Sequence, residues 1–372
     1  MNAQPPAPKT RFVFIDGLRG IAALSVVLFH VYAKNLLPMT GYEFPEPLHW
    51  LFSEGHLGVY VFFVISGFVI AQSIQGESIT PRFAGWFALR RSIRLDLPYW
   101  ATIVGMIVLT LISNRMQHER SLPVPSAGAV LSHLVYLQGF LGYPNIVGVF
   151  WTLCYEVQFY LTLILIVGGA QLLARRTSSP SWLRSPLVLF LPLWLVSLVI
   201  ATGRIDVTEA LFLYGWPFFA LGVAINWVHN RQLRPMVLVL LGATIVAAGM
   251  LVEHNPHFEL LEIGAALVTA AAIYWVSRTG RLASLTLGRA TQYLGRISYS
   301  LYLVHMLVGT PSMRFGIRLL GKAPSFLEAI ILVILSTGVS IVAAHLMYVL
   351  VERPATNLSR RLRPRPLSPA NV

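Results

Sequence analysis

The run Phe14–Tyr32, FIDGLRGIAALSVVLFHVY, is long enough to cross a bilayer, yet it carries Arg19 near its start and His30 near its far end. About 20 mostly apolar residues span a hydrocarbon core, and an ionisable side chain inside such a segment marks a functional site by default because burying it is costly. Arg19 and His30 lie eleven positions apart, which on a helix is about 16 Å of axial travel, roughly half the core. Reading this stretch as the first of several spans decides the fold class.

Outward from it, the composition agrees. The 372 residues are 56% hydrophobic and only 12% charged, with repeated apolar runs, which excludes a chain of two or three soluble domains. The net charge of +13 would in a soluble protein point to nucleic acid. In a membrane protein it reflects positive charge retained in cytoplasmic loops, and no nucleic-acid partner is expected. The single cysteine, Cys154, excludes an intrachain disulfide or a cysteine-based zinc cluster, and no metal site is expected. No small-residue cleavage site follows the first run, so it is expected to stay as a span.

The expected architecture is all-α: a polytopic membrane protein of about ten transmembrane helices with both termini cytoplasmic. The runs are Leu18–Leu37, Leu57–Ile74, Leu97–Ile112, Phe150–Leu173, Pro186–Thr202, Thr208–Val228, Met236–Val252, Leu260–Val276, Tyr293–Thr310 and Phe326–Val351. The shorter Ala127–Phe140 is expected as a re-entrant or interfacial helix. This count puts 21 of the 28 basic residues on the cytoplasmic side, as the positive-inside rule requires; an eleventh span would invert every later loop. Residues 1–17 form a cytoplasmic tail, 18–354 one membrane domain, and 355–372, rich in Arg and Pro, a disordered tail at the membrane surface. The oligomeric state is not encoded legibly.

Three groups of residues carry candidate chemistry. Asp16 and Arg19 flank the entry to the first span; an N-cap pairing of the two is the structural alternative. Arg90, Arg91 and Arg94 stand at the entrance of the third span, where three guanidiniums on about one turn make a bidentate phosphate site. With Arg19 they are expected to hold a polyanionic ligand such as a nucleotide or coenzyme. His30 and Glu156 lie at similar depth, because the first and fourth spans run in opposite directions. Glu156 would then orient the His30 Nδ1, with a structural bond to backbone or tyrosine as the alternative for each. Trp151 reads as part of an interfacial aromatic belt, Ser66 as a small residue for helix packing, and Tyr299 and Tyr302 as polar links between helices. His305 is a second intramembrane histidine that could take the role of His30.

Five stretches taken in order, IDGLRGIAALSVVLFH, FFVISGFVI, RRSIRLDLPYW, FWTLCYEVQFYL and LGRISYSLYLVH, resemble the acyltransferase 3 family of integral-membrane acyltransferases. The end, from Tyr348 to Glu352-Arg353-Pro354, resembles the family's closing motif. The resemblance spans about residues 12–356. It implies that Arg19 and His30 form the family's spaced arginine–histidine pair, and that Arg90, Arg91 and Arg94 match its arginine-rich motif. It implies an O-acyltransferase using acyl-CoA, with acetyl-CoA the expected donor, and a cell-surface glycan or glycolipid acceptor at a bacterial inner membrane. A macrolide-like small acceptor, or a proton-coupled permease built on the same residues, are the competing expectations. One departure stands out: Glu156 is a single acidic residue where the family often has two.

Overall fold

The computed structural model describes residues 11–116, 122–176, 185–205, 207–252 and 258–362. Lys9, Arg184, Arg363 and Arg365, counted above for topology, lie outside them, as do the first ten residues and most of the tail. Among the described residues the chain is helical, with no strand. Its principal helices are α1 (Val13–Val31), α2 (Glu46–Ser53), α3 (Gly58–Ser73), α4 (Pro81–Met116), α5 (Ala127–Leu134), α6 (Phe150–Arg176), α7 (Leu187–Ala201), α8 (Trp216–His229), α9 (Met236–Gly249), α10 (Leu260–Arg278), α11 (Arg289–Leu320), α12 (Phe326–Met347) and α13 (Arg353–Arg361). Among the described residues six helical stretches are long and apolar enough to cross a membrane, and α7 and α9 are shorter apolar helices.

Each of the ten expected runs lies on a helix, but several bounds move. The short run Leu97–Ile112 is only the apolar part of the 36-residue α4. Its polar first half, including Arg90–Arg94, continues the same helix. The segment 127–140 is helical only to Leu134 and then turns. The stretch 355–361, expected to be disordered, belongs to α13. It is ordered because Ala355 and Ser359 are buried against α4, where the Trp86 indole and Arg90 donate to the Leu362 and Ser359 carbonyls. α2 was not foreseen as a helix; Pro45 caps it and Glu46 sits favourably in its first turn.

Small residues set the distances between helices. A Cβ built on Gly20 would fall 2.1 Å from the Thr291 carbonyl oxygen, and one on Gly295 would fall 1.8 Å from that of Asp16. α1 and α11 therefore touch backbone to backbone, as membrane helices do where glycine removes the side chain. The same holds for α3 and α8, where Gly67 meets Phe219 and Gly222 meets Val64. Gly58 and Gly55 rest on the Ala22 and Ser25 carbonyls, joining α1 to the entry of α3.

These contacts also fix helix direction. Gln292 donates to the Val13 carbonyl, His30 stacks on His305, and Arg314 donates to Asn35, so α1 and α11 run parallel. Tyr60 packs on Phe218, Val64 on Gly222, and Gln72 accepts from Asn226, so α3 and α8 are parallel too. α1 and α3 are antiparallel, with Phe12 against Phe68 and Ala22 against Gly58.

Gly222→Val would place branched carbon inside the Val64 carbonyl contact, whereas Gly85 has nothing within 4 Å of its Cβ position. Overpacking of a tight site costs about 1–3 kcal/mol and more against rigid backbone, while an unobstructed helical Gly→Ala change gains about 0.5–1 kcal/mol. Thermal unfolding in detergent should therefore show Gly222→Val losing most folded protein and Gly85→Ala melting at or above the native temperature.

Candidate active site

A cavity of about 840 Å³, open mouth included, runs between α1, α3, α4, α6 and α11. Its wall on α3 extends from Val59 to Ile70, about 16 Å of helix axis. Phe62, Phe63, Val69 and Leu95 make it mostly apolar. Arg19 enters from α1 and Arg91 and Arg94, three residues apart, from α4, and among the described lining residues Glu156 is the one acidic side chain. None of the three arginines makes an ion pair within 4.0 Å among the described residues. Unpaired guanidiniums on a cavity wall are a ready anion site, since each offers a fixed fork of donors to a phosphate or carboxylate.

Seven of the candidates, Arg19, Ser66, Arg91, Arg94, Glu156, Tyr299 and Tyr302, line this cavity. Ser66 donates to the Glu156 carboxylate at 3.3 Å. Tyr299 donates to the Leu95 carbonyl at 2.7 Å, tying α11 to α4 beside Arg94. Tyr302 and Thr152 share a 2.6 Å hydrogen bond, and both reach the Val149 carbonyl.

His30 sits beyond Tyr302 rather than on the cavity wall. Its ring lies 5.0 Å from that of His305, edge to face, and His305 in turn lies 6.0 Å from Tyr302. The expectation that Glu156 orients His30 is not met. His30 Nδ1 bonds the Val26 carbonyl at 2.9 Å, one turn back on its own helix. His305 repeats the arrangement with Leu301 at 3.1 Å. A carbonyl only accepts, so both Nδ1 atoms carry the proton and both Nε2 atoms are left to act. The His305 Nε2 is buried and has no partner. The backbone wins as orienter because it is one turn away in sequence, whereas Glu156 is engaged by Ser66.

The remaining candidates lie elsewhere. Arg90 leaves the cavity: it stacks on Trp86 and donates to the Ser359 carbonyl, so it anchors α13. Asp16 accepts from Arg11 at 2.5 Å rather than pairing with Arg19, and the helix begins three residues before it. Glu352 is buried and accepts from the Ser300 hydroxyl at 2.6 Å and from its N–H. Trp151 packs on Phe63 and Tyr155 inside the protein instead of forming a belt.

Two features were invisible in the sequence. The helix widens into π turns at Tyr32–Leu36, directly after His30, and at Tyr348–Glu352, ending on Glu352. Such turns are rare and gather at functional sites. In the first, buried Asn35 donates to the His30 carbonyl and accepts from Arg314, bracing the histidine from behind. Asn35, a polar residue within the apolar run, was the available signal.

A family profile described as an acyltransferase domain matches residues 12–345. The chain belongs to the acyltransferase 3 family. With its candidate spans, this makes it a multi-pass membrane acyltransferase. It is similar to acyltransferase MdmB of Streptomyces mycarofaciens, at 27% identity over 96% of this chain and 95% of that one. It is also similar to YrhL of Bacillus subtilis (strain 168), named provisionally as a peptidoglycan O-acetyltransferase, at 24% identity over 91% of this chain and 54% of that one. No solved structure matches. Among the described residues no cluster of His, Cys, Asp or Glu is arranged to hold a metal ion.

Within this acyltransferase, Tyr136 donates at 2.8 Å to buried Asp96, whose other oxygen accepts from Ser92. That bond holds the segment after α5 onto α4, with Tyr136 stacked on Tyr99. Tyr136→Phe leaves a buried carboxylate oxygen without its donor, and the expected loss is about 1–3 kcal/mol. Thermal unfolding in detergent reads that loss, and limited proteolysis should cut faster within 137–145; a variant indistinguishable in both would remove this anchor.

Proposed function

We propose that the chain transfers an acyl group from cytoplasmic acyl-CoA, acetyl-CoA in the simplest case, to a hydroxyl of a glycan or glycolipid on the far side of the membrane. The observation that carries the reading is the elongated cavity with three unpaired arginines and, past Tyr302, a histidine pair with free Nε2 atoms. Arg19, Arg91 and Arg94 hold the donor's phosphates. The apolar wall along α3 accommodates its pantetheine arm, whose thioester then lies toward Tyr302. His30 takes the acceptor's hydroxyl proton on Nε2 as the new C–O bond forms and the C–S bond breaks. The leaving thiolate then receives that proton, so the histidine ends neutral. Glycan acceptors are favoured by the similarity to a protein named for peptidoglycan O-acetylation.

Helix directions support the ten-span reading with both ends cytoplasmic. α3 and α8 are parallel and separated by α4, α6 and α7, so α7 must cross if α4 and α6 do. α1 and α11 are parallel with α7 and α8 crossing between them, and this parity then requires α9 to cross as well. We therefore count the three shorter helices as spans and take Arg19 as lying at the donor side, His30 toward the acceptor side, and the membrane as a bacterial inner membrane on the family resemblance.

Purified protein in lipid vesicles, given acetyl-CoA and a glycan acceptor, should release free thiol in proportion to acylated product. His30→Ala should lower the rate by about 10²–10⁴-fold, the contribution of a positioned general base, without loss of folding. Arg94→Ala should raise the acyl-CoA KM about tenfold or more, since a charge-assisted hydrogen bond contributes about 1.5–3 kcal/mol. Arg90→Ala should leave that KM within about twofold. Full activity of a folded His30→Ala protein would sink the assignment of the base.

A further inference from the structure

With 21 of the 28 basic residues on the cytoplasmic side of the proposed topology, seven are left on the acceptor side. Four of the seven gather in one place. Lys34 lies in the π turn that follows α1, Arg314 and Arg318 lie in the last turns of α11, and Lys322 comes just past that helix. Because α1 and α11 run parallel, these ends are neighbours. Positive charge is depleted on the translocated side of membrane proteins, so a cluster there calls for a reason of its own.

One of the four is taken up by the protein. Lys322 pairs with Glu328 at 3.1 Å, and that carboxylate also closes the capping box of α12 on Ser325. Lys34, Arg314 and Arg318 are exposed, and no carboxylate among the described residues comes within 4.0 Å of them. That holds for Glu43 too, although its charge reaches Tyr32 in the same turn as Lys34. Glu54 and Glu262 are engaged by His56, at 3.8 and 3.1 Å.

Their placement beside the half-buried His30 is fixed. Lys34 is four residues beyond the histidine, one turn further out on the same face. Its ammonium lies 5.2 Å from the centre of the Phe29 ring, and its charge is felt at the imidazole. Arg314 reaches the same turn from α11. Its Nε donates to the buried Asn35 Oδ1 at 2.7 Å, and Asn35 donates to the His30 carbonyl at 2.5 Å. One buried amide thus locks the guanidinium to the backbone of the histidine, while the fork of terminal nitrogens carries no ion pair. Arg318 stands one turn further along α11 on the face of Arg314.

We propose that Lys34 and Arg314, with Arg318 behind them, form an anion subsite for the acceptor, and that the acceptor is a glycan carrying a carboxylate or phosphate on or next to the acylated ring. This rests on the acyltransferase reading above, in which His30 takes the hydroxyl proton, and deepens it by naming the acceptor's charge. The anionic group bridges the ammonium, a point charge, and the guanidinium, a planar fork. About one helical turn, roughly 5.4 Å, separates Lys34 from His30. That is the reach from such a substituent to a hydroxyl of the same or the adjoining sugar ring. The positive field also draws anionic acceptors toward the histidine, and a neutral acceptor gains nothing from it.

The test measures binding apart from turnover. The full chain in phosphatidylcholine nanodiscs is titrated by saturation-transfer NMR with paired sugars that differ by one acidic group: N-acetylglucosamine with N-acetylmuramic acid, and methyl glucoside with glucose 1-phosphate. The acidic member of at least one pair should bind about fivefold more tightly or better, and high salt should erode the difference. Arg314→Gln and Lys34→Gln, each checked for unchanged melting, should bring that preference to within about twofold. Lys322→Gln, whose charge is already paired, should leave it in place. Equal affinity for both members of every pair in native protein, or a preference that survives in both folded variants, overturns the proposal. So does a native protein without glycan preference whose affinity for phosphatidylglycerol alone falls with Arg314→Gln, because the cations then serve lipid headgroups. An Arg314-dependent preference with no thiol release from acetyl-CoA would support the subsite and refute the acyl-CoA reading instead.

Discussion

The contact between α1 and α11 is the constraint on which the site depends. Gly20 and Gly295 let two backbones approach to a distance that no Cβ tolerates. From that crossing the helices run on in the same direction, which brings His30 against His305 and Asn35 against Arg314. Arg19 lies within that crossing, between Asp16 and Gly20, so its position relative to Ser298, Tyr299 and Tyr302 follows from the same contact. A bilayer offers no hydrophobic drive between helices, and close backbone packing is what can set such a register there. The glycines around Arg19 therefore belong to the site as much as the arginine does.

Polar residues inside the bundle divide into those that hold position and those left open. Glu352 is taken up by Ser300, Asp96 by Tyr136 and Ser92, and Asn35 by His30 and Arg314. Each removes a desolvation cost by satisfying its neighbours, and each braces a helix that carries a cavity residue. Arg19, Arg91, Arg94 and the Nε2 of His305 are different: within the described residues no ion pair takes up the arginines, Arg91 only stacks on Phe87, and nothing bonds the His305 Nε2. Stability alone would not retain these groups in that state.

The sequence made the helical class legible through apolar runs, and it found the arginines and both histidines because charge inside such runs is rare. It misplaced what depends on tertiary partners. Arg90 reads the same as Arg91 and Arg94, yet its turn of α4 faces α13, whose helix was not foreseen because Arg and Pro dominate its composition. Glu156 was expected at the depth of His30, but it bonds Ser66 of α3, which lies level with the first turns of α1 because Phe12 meets Phe68 and Ala22 meets Gly58. The π turns leave no composition signature at all.

On the proposed function, the orientation of His30 bears on how a histidine base would work. A carboxylate on Nδ1 would stabilise the imidazolium strongly and hold it protonated. A backbone carbonyl fixes the tautomer while stabilising the charge less, so the ring returns its proton readily to a departing thiolate. In an acyl transfer from a thioester the leaving group is far less basic than an alkoxide, and a strongly stabilised imidazolium is not required to drive its departure. What the reaction needs is a neutral, correctly turned imidazole before the acceptor arrives. Two successive Nδ1-to-carbonyl bonds, at Val26 and Leu301, provide that pair without placing a further charge beside the three arginines. On the same proposal Glu156 stays on the donor side, where its carboxylate would moderate the guanidinium field and keep the cavity open to an anion that must both enter and leave.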